Sequence, residues 1–381
     1  MSQMTKIPQI PDARRIVIKI GSALLIDSQN ACIRTSWLQS VIEDIVALRK
    51  QQCEIIIVSS GAIALARYTL KLNKRSLRLD EKQAAAAVGQ IKLAQAWSEA
   101  FSVHNLVAAQ ILLTLEDTET RLNYLNARAA LETLLNLGSI PIINENDTVA
   151  TTEIRFGDND RLAARVAEMV KADQLILFSD VDGLYTADPR THMDAQHIPV
   201  IQQMTPEIDA MGGKAPKGYS SGGMITKLAA AHIATQAGCA MVIAQGKVFH
   251  PLKSLQDGAR CSWFLPSQNP YMARKRWIAG SIATKGAVYI DKGAEQAILD
   301  GKSLLPAGII KVEGQFHRGD LIKIANSEGF IIGNGITAYD SSDVAQIIGA
   351  QTQEIETRLG WHGADEVIHR DDLAFSTLSN S

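Results

Sequence analysis

Cysteine and net charge are both scarce in this 381-residue chain, and each scarcity removes a class of protein. The four cysteines, Cys32, Cys53, Cys239 and Cys261, are scattered without a CxxC pair. They read as reduced, mostly buried thiols of a cytosolic protein. The eight histidines form no HExxH or related spacing, so a zinc site is not expected. Thirty-eight Lys and Arg against 40 Asp and Glu leave a formal net charge of −2. No field of that size draws the whole chain to nucleic acid or acidic lipid. No apolar run reaches the roughly 18 residues that suggest a membrane span. The opening MSQMTKIPQIPDARR lacks the apolar core of a signal peptide. These absences predict a cytoplasmic globular protein with no membrane partner.

What is present is length and alternation. With 46% hydrophobic and 20% charged residues, the chain has room for two or three domains. Short β-branched runs predict strands at 16–20, 55–58, 107–113, 140–143, 175–178 and 241–244. Between them, helical patterns run over roughly 37–51, 80–101, 118–137, 160–172 and 224–238. Asp80-Glu81-Lys82-Gln83 offers a capping box for the second of these, and Gly138 a C-terminal stop for the third. Strands that are apolar throughout and alternate with helices indicate a mainly parallel sheet covered on both faces.

The alternation stops near residue 265. Pro266-Ser267-Gln268-Asn269-Pro270 reads as a boundary and Arg274-Lys275-Arg276 as a basic linker. Beyond it come short strands at 287–290, 308–312, 321–324 and 330–335, with helices near 293–301 and 341–349. This is a β-rich domain of about 90 residues. Gly333-Asn334-Gly335-Ile336-Thr337-Ala338 fits GxGxxA but sits in a hairpin-like setting, so it is rejected as a dinucleotide site. Asp300-Gly301-Lys302-Ser303 ends like a P-loop, yet Gln296 stands where the first glycine belongs.

The polar ends of the strands carry the chemistry. The run 140–143 breaks into Asn144-Glu145-Asn146-Asp147, and Gly157-Asp158-Asn159-Asp160 follows before the next helix. Such residues make turns and caps, but at the carboxyl edge of an α/β sheet they also present polar groups to a ligand. Lys19 interrupts the first strand. A lysine there needs a charged partner or ligand, unless the strand lies at an edge with Lys19 in water. Ser59-Ser60-Gly61-Ala62 opens a helix where backbone N–H groups can approach an anion, or simply caps it. The run GGKAPKGYSSGG at 212–223 is either a polyphosphate clamp or a linker.

Taken together, Lys19-Ile20-Gly21-Ser22, Ser59-Ser60-Gly61-Ala62, Asn144-Glu145-Asn146-Asp147, Gly157-Asp158-Asn159-Asp160, Gly183-Leu184-Tyr185-Thr186-Ala187-Asp188-Pro189-Arg190 and Gly222-Gly223-Met224-Ile225-Thr226-Lys227 resemble the amino acid kinase superfamily. Within it they resemble the glutamate 5-kinase family, and the C-terminal part is similar to its PUA domain. The resemblance implies an α/β fold, a three-layer αβα sandwich with a mainly parallel sheet, followed by a small β-rich PUA barrel. It divides the chain into a kinase domain at 10–266, a linker at 267–279 and a PUA domain at 280–372. It implies ATP-dependent phosphorylation of the γ-carboxylate of L-glutamate, the first step of proline synthesis, with proline as inhibitor.

The resemblance also assigns residues. Lys19 and Lys227 bracket the phosphoryl group, and Asp160 orients both without transferring a proton. Ser60, Asp147 and Asn159 bind glutamate, Asp147 accepting from its ammonium while Ser60 and Asn159 bond the carboxylates. Lys19, Gly21, Ser179, Asp180, Ser221, Gly222, Gly223, Met224, Ile225, Thr226 and Lys227 surround the nucleotide. Mg2+ is expected on the ATP phosphates, held largely by phosphate and water, with no protein ligand assigned. Ser221 stands where the family commonly has threonine, and the stretch 214–221 is more basic than the family pattern. Assembly as a homodimer or homotetramer and transfer of product to glutamyl phosphate reductase are likewise inherited expectations. A sister kinase of another carboxylate or carbamate is the first alternative, and the C-terminal domain argues against it. RNA binding is the second. Residues 280–381 carry neither a strong basic stripe nor an aromatic stacking pattern, so RNA is not expected as a partner.

Overall fold

The computed structural model describes residues 7–27, 30, 32–72, 77–150, 159–213, 223–266, 284–361 and 363–375. By its contacts the chain divides into two compact units, Met1–Asn269 and Pro270–Ser381.

In the first unit an eight-stranded sheet is built from β1 (Arg15–Ile20), β2 (Glu54–Ser59), β3 (Ala108–Leu113), β4 (Ile140–Glu145), β5 (Gln174–Ser179), β6 (Val200–Ile201), β7 (Ala240–Gln245) and β8 (Cys261–Phe264). Its order is β6-β8-β7-β5-β1-β2-β4-β3. All neighbours pair in parallel except β7 with β8. The helices are α1 (Thr35–Lys50), α2 (Ala62–Thr69), α3 (Leu79–Ser102), α4 (Leu115–Glu119), α5 (Arg121–Asn136), α6 (Asn159–Met169), α7 (Met224–Gln236) and α8 (Pro251–Gln256), with shorter turns between.

Side-chain alternation along β1 sorts the two cores. Ile16, Ile18 and Ile20 pack with Trp37, Val41 and Ile45 of α1, Leu93 and Trp97 of α3, and Leu252 of α8. Val17 faces the other way, towards Leu131 of α5, Leu162 and Val166 of α6, and Leu228 of α7. Each such fully buried aliphatic side chain contributes about 2 kcal/mol, so this register is strongly fixed. Lys19 shares Val17's face by parity. It therefore emerges on the side of α6 and α7.

β1 lies in the middle of the sheet, between β5 and β2. The edge-strand explanation of Lys19 is thereby removed. β1 is also where the strand order reverses: the chain runs from β1 to β2 on one side, then later to β5 and β7 on the other. In open α/β sheets, ligands bind at the carboxyl ends of strands next to such a reversal.

Three readings of the sequence are corrected here. The helix expected over 118–137 is two helices meeting at Thr120, because Thr114 and Asp117 cap each other and set a separate start at Leu115. The N-cap of α3 is Arg78, whose backbone N–H donates to Glu81, so Asp80 lies inside the first turn. The sheet gains β6 and β8, short strands of which β8 folds back antiparallel on β7 and β6 pairs with the later β8.

The second unit carries a five-stranded mixed sheet of β9 (Gly286–Ile290), β10 (Ile309–Gly314), β11 (Leu321–Asn326), β12 (Ile331–Ile336) and β13 (Leu373–Phe375), in the order β10-β9-β11-β12-β13. Helices α9 (Lys292–Leu299) and α10 (Ser341–Ile347) accompany it around a core that includes Val288, Ile324, Tyr339 and Ile347. Gly333 and Gly335 lie in β12, antiparallel to both neighbours, which is no setting for a dinucleotide fingerprint. Virtual Cβ atoms there would meet Ala374 O at 2.6 Å and Ile368 Cδ1 at 2.7 Å, so these glycines serve packing.

Candidate active site

Parallel pairing brings the carboxyl ends of β1, β2, β4 and β5 to one edge of the sheet. Lys19 and Gly21 leave β1 there, Ser60 follows β2, Asp147 follows β4, and Ser179 and Asp180 close β5. Asn159 and Asp160 open α6, while Gly223 precedes α7 and Met224, Ile225, Thr226 and Lys227 form its first turn. Gly157, Asp158, Ser221, Gly222, the basic stretch 214–221 and the linker 267–279 lie outside the described residues.

Asp160 is the hub. It is 1% exposed, and Lys19 and Lys227 are 7% and 6% exposed, so all three charges sit out of water. Lys19 Nζ lies 2.6 Å from Asp160 Oδ1, and Lys227 Nζ donates to Oδ2 at 2.9 Å. Thr226 Oγ1 donates to the same Oδ2 at 2.9 Å. Burial pushes the Asp160 carboxyl up, but the two ammonium groups pull harder and hold it well below the usual carboxylate range. Lys227 stands in the first turn of α7, where its charge and the helix dipole are both positive. Asp160 offsets that repulsion and leaves the three groups with one net positive charge.

A second, uncharged network lies beside it. Asn159 Nδ2 is within hydrogen-bond distance of Ser59 O (3.0 Å), Ser60 Oγ (2.6 Å) and Asn144 Oδ1 (2.9 Å). A backbone carbonyl only accepts, so the nitrogen of this amide must face Ser59. The expectation that Asn159 donates to a substrate carboxylate meets this geometry poorly, because its N–H groups are taken by protein acceptors. Ser60 Oγ accepts from Asn159 and so keeps its own proton to give. Gly61, at φ +123, makes the turn after Ser60. A Cβ on Gly61 would lie 2.3 Å from Ile26 Cδ1.

Asp147 sits after β4, half-buried. Burial raises its carboxyl to about 6, with Lys82 pulling the other way. On the other side of β1, Ser179 Oγ donates to Asp180 Oδ1 at 3.2 Å, and Gln245 Nε2 holds Asp180 O at 3.2 Å. Elsewhere, two of the four cysteines are buried, one is partly buried and Cys32 is exposed. Burial pushes the Cys53 thiol up to about 12, so it is inert as a nucleophile. Among the described residues no helix is long and apolar enough to cross a membrane.

The sequence singled out the lysines and Asp160 but not the groups behind them. Ser59 Oγ accepts from Trp97 Nε1 at 3.1 Å, and Asn144 Nδ2 donates to Gln90 Oε1 at 2.8 Å. Gln90 lies in a helix of ordinary amphipathic texture, and no local spacing marks it.

Comparison with known proteins follows the same division of the chain. Residues 14–245 match the amino acid kinase family and residues 286–359 the PUA domain. The chain is 60% identical to the glutamate 5-kinase of Gluconobacter oxydans over 98% of its length and 99% of that protein. It is 54% identical to the glutamate 5-kinase of Paramagnetospirillum magneticum, over 95% of this chain and 97% of the other. It is 56% identical to that of Agrobacterium fabrum, over 95% and 93%.

Proposed function

The chain belongs to the amino acid kinase family, and within it to the glutamate 5-kinases, and on that premise we propose how its site transfers a phosphoryl group. The substrates are ATP and L-glutamate, and the product is L-glutamyl 5-phosphate, the first intermediate of proline synthesis. The observation that carries this reading is the buried Lys19–Asp160–Lys227 cluster at the strand-order reversal.

Two anions must meet. The glutamate γ-carboxylate attacks the γ-phosphorus, a carboxylate O–P bond forms, the bond to the bridging oxygen breaks, and ADP leaves with that electron pair. Catalysis of this kind is mostly positioning and charge neutralisation. Lys19 and Lys227 neutralise the equatorial and bridging oxygens, and Asp160 fixes where their ammonium groups point. No proton needs to move, because a γ-carboxylate with a pKa of about 4.3 is already ionised at pH 7.

On the acceptor side Ser60 donates to a carboxylate oxygen, while Asp147 accepts from the substrate ammonium, as Asn159 can through Oδ1. Ser179, Asp180, Gly21 and the turn from Gly223 to Lys227 serve the nucleotide. Both oxygens of Asp160 already meet ammonium groups, so this carboxylate is not free to hold a metal. Mg2+ would accompany the ATP phosphates, where it would neutralise charge.

The kinase domain is taken as 10–266 and the PUA domain as 280–372. Proline competes for the acceptor side. The protein works as a cytoplasmic homodimer or homotetramer that passes its product to a reductase. The test is ATP consumption with Mg2+ and hydroxylamine, comparing L-glutamate with N-acetylglutamate, aspartate and bicarbonate plus ammonia. Hydroxamate formed with glutamate alone supports the reading; formation with another acceptor instead overturns the substrate assignment. Proline titrated into the same assay should raise the glutamate KM, and a flat curve to high proline removes the inhibition.

A further inference from the structure

We propose that Gln90, on α3, is a positioning residue for the acceptor subsite: through Asn144 it holds in place the Asn159 amide, whose direction the Ser59 carbonyl fixes, and thereby the partner that leaves the Ser60 hydroxyl free to donate. The proposal rests on the assignment of Ser60 and Asn159 to glutamate made above.

The relay is built from amide polarity. Asn144 is 3% exposed, at the end of β4. Its Nδ2 donates to Gln90 Oε1 at 2.8 Å, and its Oδ1 accepts from Asn159 Nδ2 at 2.9 Å. Turning the Asn144 amide over would set two N–H donors against each other at Asn159 and two acceptors at Gln90. At its other end Gln90 Nε2 donates to Gln110 Oε1 of β3 at 3.0 Å. The chain therefore has one internally consistent direction, ending at Ser59 O and Ser60 Oγ. If the Gln90 acceptor is lost, a buried Asn144 donor has no partner and must swing to find one. Its oxygen then no longer holds Asn159.

The backbone brings α3 close enough for this. A Cβ on Gly89 would lie 1.7 Å from Ala62 O, so α3 touches the start of α2, two residues after Ser60. Seven residues before Gln90 on the same helical face, Gln83 Nε2 donates to Ala150 O at 3.1 Å. The two glutamines thus brace the segment from Asn144 to Ala150, which includes Asp147, from one helix.

The experiment compares Gln90→Met, Gln90→Ala and Gln90→Glu with the unaltered full-length chain, reading steady-state kinetics and thermal melting. Met keeps the length and removes the acceptor, and Ala guards against misfolding of the Met variant. Glu keeps an oxygen for Asn144. The glutamate KM should rise roughly three- to tenfold in the Met and Ala variants, the value of one neutral hydrogen bond. The KM for ATP and the turnover number should stay within about twofold, and Gln90→Glu should recover most of the loss. An unchanged glutamate KM in Gln90→Met and Gln90→Ala overturns the proposal. So does an equal loss in Gln90→Glu, which would assign the effect to the Gln110 bond or to packing. Failure of the unaltered protein to use glutamate overturns the substrate reading instead, and is read before any variant is made.

Discussion

Lys227 Nζ donates to Asp160 Oδ2 at 2.9 Å although 67 positions of sequence separate the two residues. The bond ties the first turn of α7 to the first turn of α6, with Lys19 of β1 on the carboxylate's other oxygen at 2.6 Å. A carboxylate shared in this way is not free to act as a base, and the ammonium groups it holds are not free to wander.

Asp160→Asn should therefore injure stability and turnover by the same cause. Removing the charge leaves two buried cations facing each other, and breaking a buried pair costs about 3–5 kcal/mol. Polyanionic ligands should repair much of it. We expect thermal melting to show a larger stabilisation by ATP in the variant than in the parent. Equal stabilisation in both would mean that Asp160 is not what offsets the lysines.

Lys227→Arg should lose most activity although the charge is kept. An ammonium is a compact point charge and a guanidinium a planar fork, so the two are not exchangeable where one oxygen must be met at 2.9 Å. Turnover should fall about 10²-fold or more, the usual loss for one transition-state donor, and Lys19→Arg should behave alike. Near-normal turnover by Lys227→Met in a folded protein would remove the lysine from the reaction.

Asp147 predicts an acid limb in the pH profile. With its carboxyl raised to about 6 by burial, it is neutral below that pH and cannot pair with an ammonium. Catalytic efficiency with glutamate should climb through pH 6 and level off above, and Asp147→Asn should abolish the limb while raising KM. The stability sign is opposite to that of Asp160. The native state holds the Asp147 proton more tightly than the unfolded chain, so this group's contribution falls as pH rises from about 4 to about 6. Asp160, held low, stabilises above the ordinary carboxylate pKa and loses that contribution as pH falls through its depressed native value. Melting curves of the two Asn variants across pH separate these effects.

Gly89→Ala should be costly despite replacing glycine by a better helix former. The added Cβ would meet the Ala62 carbonyl at 1.7 Å, so α3 or the start of α2 must move. A loss of about 1–3 kcal/mol is expected for such overpacking, with a raised glutamate KM because Ser60 lies at the displaced junction. A gain in melting temperature, as helix propensity alone predicts, would show that the contact yields without strain.

Most of the sheet was legible because its strands are continuous apolar runs between turn residues. Lys19 stood out because it interrupts one. The short β6, β8 and β13 were not legible, since two to four residues carry no period. The division at Thr120 escaped because helical periodicity continues across it, and only the reciprocal bonds of Thr114 and Asp117 set the new start. At the site, the charged residues announced themselves by their cost in an apolar setting. Gln90 and Trp97 did not, since a glutamine or tryptophan in an amphipathic helix is ordinary until folding brings Asn144 or Ser59 beside it.

The Lys19–Asp160–Lys227 cluster sums to a single positive charge inside a chain whose formal net charge is −2. Positive charge is thus concentrated at one buried point of a molecule that has no excess of it overall. A phosphate group that reaches the cluster meets two ammonium groups barely screened by salt, since buried charges feel the ionic atmosphere less than exposed ones.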